Sequence, residues 1–271
     1  MTALDGMTVL VGGGGTPPVV AALVAAGAKV VLQAQTPAER ETAQAAAAAH
    51  GAIVLERSVM TFADGEELVA TVAADHGPLA AVVTAQVPQE ADTLADLTQA
   101  SWVGFKAAYL TRAVALARAA AAQMATQPGG GRIVVLGSAT TFSSTGAAQA
   151  AVNAGLISLV SAASAGMRDT EVRVNGILLG LPGADQGGIP APATDGPDVL
   201  PATVVWLASA ESEGVNGKLV YAGGADVGFY TMPMLMENAN VQVRFGEQPS
   251  AGDIGGLLNP LAEIGKVQRQ A

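Results

Sequence analysis

The chain contains no cysteine and only two histidines, His50 and His76. That excludes disulfide frameworks, thiol nucleophiles and the usual zinc clusters, so metal chemistry would have to rest on carboxylates alone, and no metal site is expected. Aromatic residues make up 4% of the sequence, charged residues 13%, and the formal charge is −10. An acidic chain of this kind repels polyanions, so nucleic acid is not an expected partner. No apolar run reaches the roughly 18 residues of a membrane span, and Met1–Gly6 is not a basic start followed by an apolar stretch. The chain therefore reads as cytoplasmic, with no membrane partner. One further absence bears on chemistry: no tyrosine lies between Tyr109 and Tyr221.

What is present is apolar and periodic. Half of the 271 residues are hydrophobic, enough to bury the core of one α/β domain. Met7–Val11 is a short apolar run that stops at Gly12-Gly13-Gly14-Gly15; Pro17 and Pro18 then open a helix reaching Ala26. The alternation repeats: strand Lys29–Gln33, helix Pro37–His50, strand Ala52–Leu55, helix Gly65–Ala74 with Glu66-Glu67 in its first turn, strand Leu79–Thr84. A long helix is predicted over Trp102–Ala125, then strand Arg132–Leu136, helix Ala147–Ala165, strand Val172–Leu178, helix Val199–Ser209 and strand Lys218–Tyr221. Strands apolar on both faces that alternate with helices predict a parallel sheet covered on both sides, a doubly wound, Rossmann-type α/β architecture. This domain spans 1–224. Residues 225–271 form a C-terminal extension whose apolar stretch Phe229–Met236 should pack on the domain or a neighbouring subunit. Gly180–Pro201, rich in Gly, Pro and Ala, suggests a mobile loop at the mouth of a crevice.

Four stretches carry a family resemblance: Gly131-Arg132-Ile133-Val134-Val135-Leu136-Gly137-Ser138, Asn153-Ala154-Gly155-Leu156-Ile157, Val172-Arg173-Val174-Asn175-Gly176-Ile177 and Val215 to Gly224. In this combination the chain resembles a short-chain dehydrogenase/reductase over Met7–Gly224, roughly four-fifths of its length. The resemblance implies a catalytic serine at Ser138. It places Gln149 where the family has its general-acid tyrosine and Asn153 where it has the lysine that lowers the tyrosine pKa. A carboxamide exchanges no proton near neutral pH and asparagine brings no charge, so these three family-equivalent positions are expected to be inactive. Ser138 without a neighbouring base is a hydrogen-bond donor only.

The implied cofactor positions are altered as well. Gly12 is kept, but Thr16 and Pro18 stand at the second and third glycine positions of the family's first turn, and a proline there removes an N–H that a phosphate could use. Gly13, Gly14 and Gly15 could form a weak, vestigial anion nest. Gln33-Ala34-Gln35 offers neither the acid for a ribose diol nor an arginine for a 2′-phosphate. Ser58-Val59, Thr84-Ala85-Gln86, the stretch at Val103-Gly104 and Leu179-Gly180 each depart from the family pattern. No cofactor is expected, with NAD(P) kept as an alternative.

Three functions fit. The first is a non-catalytic subunit that assembles, as a homo- or hetero-oligomer, with an active short-chain dehydrogenase/reductase, through the long helices and their small residues Ala113, Ala117, Ala120, Ala150, Ala154 and Ser158. The second is an enzyme of non-redox chemistry that binds a small molecule directly in the crevice, with Ser138, Gln149 and Asn153 as donors and Phe229–Met236 as lid. The third is an atypical NAD(P)-dependent oxidoreductase.

Overall fold

Runs of Val, Leu and Ala between glycine or proline stops become the strands of the computed structural model, which describes residues 3–88, 92–142, 146–180 and 198–230. The strands are β1 Thr8–Gly12, β2 Lys29–Ala34, β3 Ile53–Glu56, β4 Leu79–Val83, β5 Gly131–Ser138, β6 Val172–Leu179, β7 Leu219–Gly223 and β8 Asp226–Tyr230. They form one sheet in the order β3-β2-β1-β4-β5-β6-β7-β8. Neighbours from β3 to β7 pair in parallel, and β8 pairs antiparallel with β7. The predicted Rossmann-type, doubly wound architecture is thus observed. The extension expected from residue 225 begins as a sheet strand that the period-2 signal in Asp226-Val227-Gly228-Phe229-Tyr230 was too short to announce.

The helices are α1 Pro17–Ala25, α2 Pro37–His50, α3 Phe62–His76, α4 Gln99–Lys106, α5 Arg112–Met124, α6 Ala147–Gly166 and α7 Leu200–Ala208. They cover both faces of the sheet. On one face Val19 and Leu23 of α1, Ala43 and Ala46 of α2, and Val204 and Leu207 of α7 pack on Val9, Val11, Val134, Leu136 and Ile177. On the other, Leu68 and Val72 of α3, Leu116 and Ala120 of α5, and Val152, Leu156 and Val160 of α6 pack on Leu10, Val82, Val135 and Val174. Each fully buried Val, Leu or Ile of this kind contributes about 1.5–3 kcal/mol.

Helix starts follow local chemistry. Thr36, Thr61 and Thr98 cap α2, α3 and α4, each in a reciprocal capping box with Glu39, Asp64 or Ser101. The α3 start therefore lies before the predicted Gly65. Asp64, not Glu66 and Glu67, is the first-turn acid; the backbone N–H groups of Met60 and Thr61 hold its carboxyl below the usual value. Glu66 and Glu67 instead face Arg118 and Arg57. The predicted long helix begins earlier, at Gln99, and is interrupted by a π-helical stretch over Ala107–Thr111. His76 ends α3.

One expectation about helix faces changes. Ala113, Ala117 and Ala120 are 2%, 4% and 0% exposed because they face the chain's own sheet, so this stripe of α5 is not a subunit interface. On α6, Ser158 is exposed and Ala150 and Ala154 are half-buried. By length and composition α6 could cross a membrane, yet its apolar stripe is the one that packs on the sheet. Residues Met1–Tyr230 form one compact unit; the second, Thr231–Ala271, lies outside the described residues, as do residues 181–197 of the expected loop and the apolar segment after Tyr230.

Close approach of α3 and α5 depends on Gly65, where an added Cβ would lie 2.8 Å from the Ala115 carbonyl oxygen. Alanine normally stabilises a helix interior by about 1 kcal/mol relative to glycine. Here Gly65→Ala should destabilise the fold by about 1–3 kcal/mol through overpacking, read as a lower urea midpoint with the m-value unchanged. An unchanged or raised midpoint would show that the helix contact yields easily.

Candidate functional site

The strand order reverses direction between β1 and β4, and in an open α/β sheet the carboxyl ends at such a reversal frame the ligand crevice. Here the chain places Gly12-Gly13-Gly14-Gly15-Thr16 after β1 and Thr84-Ala85 after β4. Gly13, Gly14 and Gly15 have φ of +70°, +75° and +66°, the left-handed region that glycine alone enters cheaply. The turn uses this freedom to approach its own protein. A Cβ on Gly13 would lie 2.6 Å from Ala85 Cβ and 3.4 Å from Arg112 Nη2; one on Gly14 would lie 2.5 Å from the Glu39 carbonyl oxygen.

Two of the N–H groups expected to form the nest already have acceptors. Gly13 donates to Gln33 Oε1 at 3.3 Å, and Gly14 donates to the Gln33 carbonyl at 2.9 Å. Gln33 itself is fully buried, and its Nε2 donates to the Arg57 carbonyl at 2.6 Å. Next to it, Gln35 Oε1 accepts the Val59 N–H at 3.2 Å. The two glutamines thus tie the glycine turn to the segment after β3. Thr16 precedes α1 without a side-chain capping bond. Thr84 is also internal: its Oγ1 accepts the Leu136 N–H at 2.9 Å.

Above the turn sits an ion pair that the sequence reasoning missed. Arg112 is fully buried, and its Nη1 donates to Glu39 Oε1 at 2.9 Å and to Oε2 at 3.0 Å. Glu39 also accepts the N–H groups of Gln35 at 2.9 Å and Thr36 at 3.3 Å, so the capping box of α2 holds the carboxylate in place. The guanidinium carbon lies 5.7 Å from the centre of the Tyr109 ring. Nε and Nη2 of Arg112 have no hydrogen-bond partner among the described residues. Two signals could have pointed here: the Thr36-Pro37-Ala38-Glu39 capping pattern, and a single arginine within the apolar run Ala107–Leu116.

The expected catalytic positions come together but are turned inward. Gln149 and Asn153 lie one helical turn apart on the buried face of α6, at 1% and 0% exposure. Asn153 Oδ1 accepts the Ser138 N–H at 3.1 Å, and Asn153 Nδ2 is a buried donor without a partner among the described residues. Ser138 is 2% exposed; its hydroxyl lies 2.7 Å from Thr140 Oγ1 and accepts the Thr140 N–H at 3.2 Å. Arranged this way, Ser138 and Asn153 brace the start of α6 against the end of β5. Tyr221, the next tyrosine after Tyr109, buries its hydroxyl against Gly180 and Gly223. Among the described residues no cluster of histidine and carboxylate side chains could hold a metal ion.

Comparison with known proteins agrees with the fold. Residues 18–228 match the family model described as Enoyl-(Acyl carrier protein) reductase. A short chain dehydrogenase from Mycobacterium avium shares 23% identity over 96% of each chain, with a TM-score of 0.79. A Burkholderia xenovorans protein assigned to the short-chain dehydrogenases/reductases shares 22% identity over 82% of this chain and 96% of its own, at a TM-score of 0.68. A Sinorhizobium meliloti protein assigned as a short-chain alcohol dehydrogenase shares 24% over 82% and 96%, at 0.69. At these identities the likeness is one of fold. No curated protein matches the sequence.

Glu39→Gln keeps a side-chain oxygen for the α2 cap but leaves the Arg112 charge buried and unpaired. Its expected cost is about 3–5 kcal/mol in urea unfolding. The double variant Glu39→Gln/Arg112→Met should recover most of that loss, and a cycle with no coupling would show the pair to be energetically idle.

Proposed function

Because the chain belongs to the short-chain dehydrogenase/reductase family, we propose that it is a non-catalytic member whose role is to assemble with an active dehydrogenase of that family. One observation carries this reading: the carboxyl ends of β1 and β4, where a nucleotide would lie, are bridged by Gln33, Ala85, Glu39 and Arg112 packed on the glycine turn. A pyrophosphate would have to displace both Gln33 hydrogen bonds and then approach a turn already in contact with Ala85 and Glu39.

The proton chemistry supports the same reading. Gln149 and Asn153, at the positions implied for the tyrosine and lysine, carry no ionisable group, and Asn153 is committed to the Ser138 backbone. No described side chain beside Ser138 Oγ is a base: its neighbours are the Thr140 hydroxyl and backbone. Hydride transfer to a ketone needs a proton donor at the oxygen, and these residues supply none.

A second reading has one observation in its favour. Asn153 Nδ2 is a buried donor with no partner among the described residues, and such a group costs about 1–3 kcal/mol unless something accepts from it. A small carbonyl compound bound directly beside Ser138 would satisfy it, giving an enzyme of non-redox chemistry.

Calorimetric titration with NADH and NADPH separates these readings from an ordinary oxidoreductase. The expected result is no saturable heat up to millimolar nucleotide; binding tighter than millimolar with turnover of a ketone would overturn both. Affinity capture of the tagged chain from its host should retain a second short-chain dehydrogenase/reductase that carries a Tyr-x-x-x-Lys pair. Recovery of the chain alone would reject the subunit role.

A further inference from the structure

At the opposite end of the sheet from the crevice, the first turns of β5 and β6 bring two arginines side by side. Arg132 and Arg173 are register partners on parallel strands, so both project from the face that α7 covers. Neither is in an ion pair among the described residues. Arg173 spends its donors on backbone carbonyls of Glu213, Thr170 and Val172. Arg132 donates only from Nη1, to the carbonyls of Gly131 at 3.3 Å and Glu171 at 3.5 Å. Its Nε is buried with no partner among the described residues, and the residue as a whole is 9% exposed.

The nearby carboxylates do not close this account. Glu171 Oε2 is taken by the Gly129 N–H at 3.0 Å, and Glu213 meets Arg173 through its carbonyl rather than its side chain. Burial first, and then repulsion from Arg173, push the Arg132 guanidinium below its usual value, while Glu213 and Glu171 act in the opposite direction. The net result is a poorly solvated cation that no carboxylate neutralises at ion-pair distance among the described residues.

That arginine lines a cavity of about 370 Å³, whose apolar walls include Met7, Pro78, Ala80, Pro128 and Ala208. A volume near the lower end of the roughly 300–1,000 Å³ of small-molecule sites suits a small ligand. Ser209 at the rim is already committed, its hydroxyl donating to the Trp206 carbonyl and accepting from Glu211 N–H. A cation at one end and hydrocarbon on the walls select for an anionic head with an apolar body.

We propose that this cavity is a binding site for a small organic carboxylate, held by the charge of the Arg132 guanidinium with its apolar body against Met7, Pro78 and Pro128. The site is remote from the crevice. β5 runs from Arg132 to Ser138, about 20 Å at strand rise, so occupancy here does not depend on what the crevice binds.

Benzoate is the probe, followed by amide shifts in two-dimensional NMR of the full chain. Saturable shifts are expected at Gly129–Arg132 and Ala208–Ala210, with benzamide, which has the shape but not the charge, at least tenfold weaker. Arg132→Met should abolish the benzoate shifts. Should that variant fail to fold, Ala210→Leu, which fills the rim without touching the cation, should weaken benzoate at least tenfold. Absence of saturable shifts with millimolar benzoate, shifts located elsewhere, or equal affinity for benzamide would each overturn the proposal.

Discussion

A guanidinium buried to zero exposure has to find a counter-charge inside the protein, and Arg112 finds it in Glu39. The two residues come from opposite sides of the sheet: Glu39 opens α2, which packs on one face, and Arg112 opens α5, which packs on the other. Their ion pair therefore passes over the carboxyl ends of the strands and joins the two helical layers. Removing either partner would strand a charge in a medium that solvates it poorly, at about 3–5 kcal/mol, a large share of the 5–15 kcal/mol that a domain has in total. The capping box fixes where the Glu39 carboxylate can be, and the glycine turn, Gln33 and Ala85 pack beneath the bridge.

Internal hydrogen bonds also organise other stretches of the chain that resemble the family. Asn175 Nδ2 donates to the Val215 carbonyl, and its Oδ1 accepts the Lys218 N–H at 3.0 Å. Asn216 Oδ1 in turn accepts the Val174 N–H at 2.9 Å. These two asparagines lace β6 to the segment leading into β7, which explains why both stretches resemble the family whether or not any chemistry survives. Ser138 and Asn153 do the equivalent for β5 and α6. Motifs that build the scaffold and motifs that perform the reaction are interleaved along such a chain, and a resemblance measured over all of them reports mainly the first kind.

The layer architecture was legible because its signals are local: short continuous apolar runs and glycine and proline stops each act within a few residues. Strand β8 was missed because five residues with glycine at the centre carry little periodicity, and its pairing partner is what makes it a strand. The π-helical stretch before Arg112 was missed for a related reason. Its hydrogen-bond shift leaves no mark in composition, and a long apolar helix was predicted straight through it. The α5 alanine stripe shows the converse error, since small residues at helical spacing suit a subunit interface and the chain's own sheet equally well. Burial alone chose the sheet.

By itself, the amino-acid sequence determined the alternation of strand and helix, the parallel sheet, the absence of ionisable groups at 149 and 153, and the glycine turn after β1, because each depends on residue type at a position or on neighbours a few residues away. Only the tertiary structure decided what faces that turn. Glu39 and Arg112 are separated by 73 residues, and Arg132 and Arg173 meet only because β5 and β6 pair in one register. Whether an arginine is a solvated surface charge or a buried cation that closes or opens a site is set by what the fold places around it, and no local pattern encodes those neighbours.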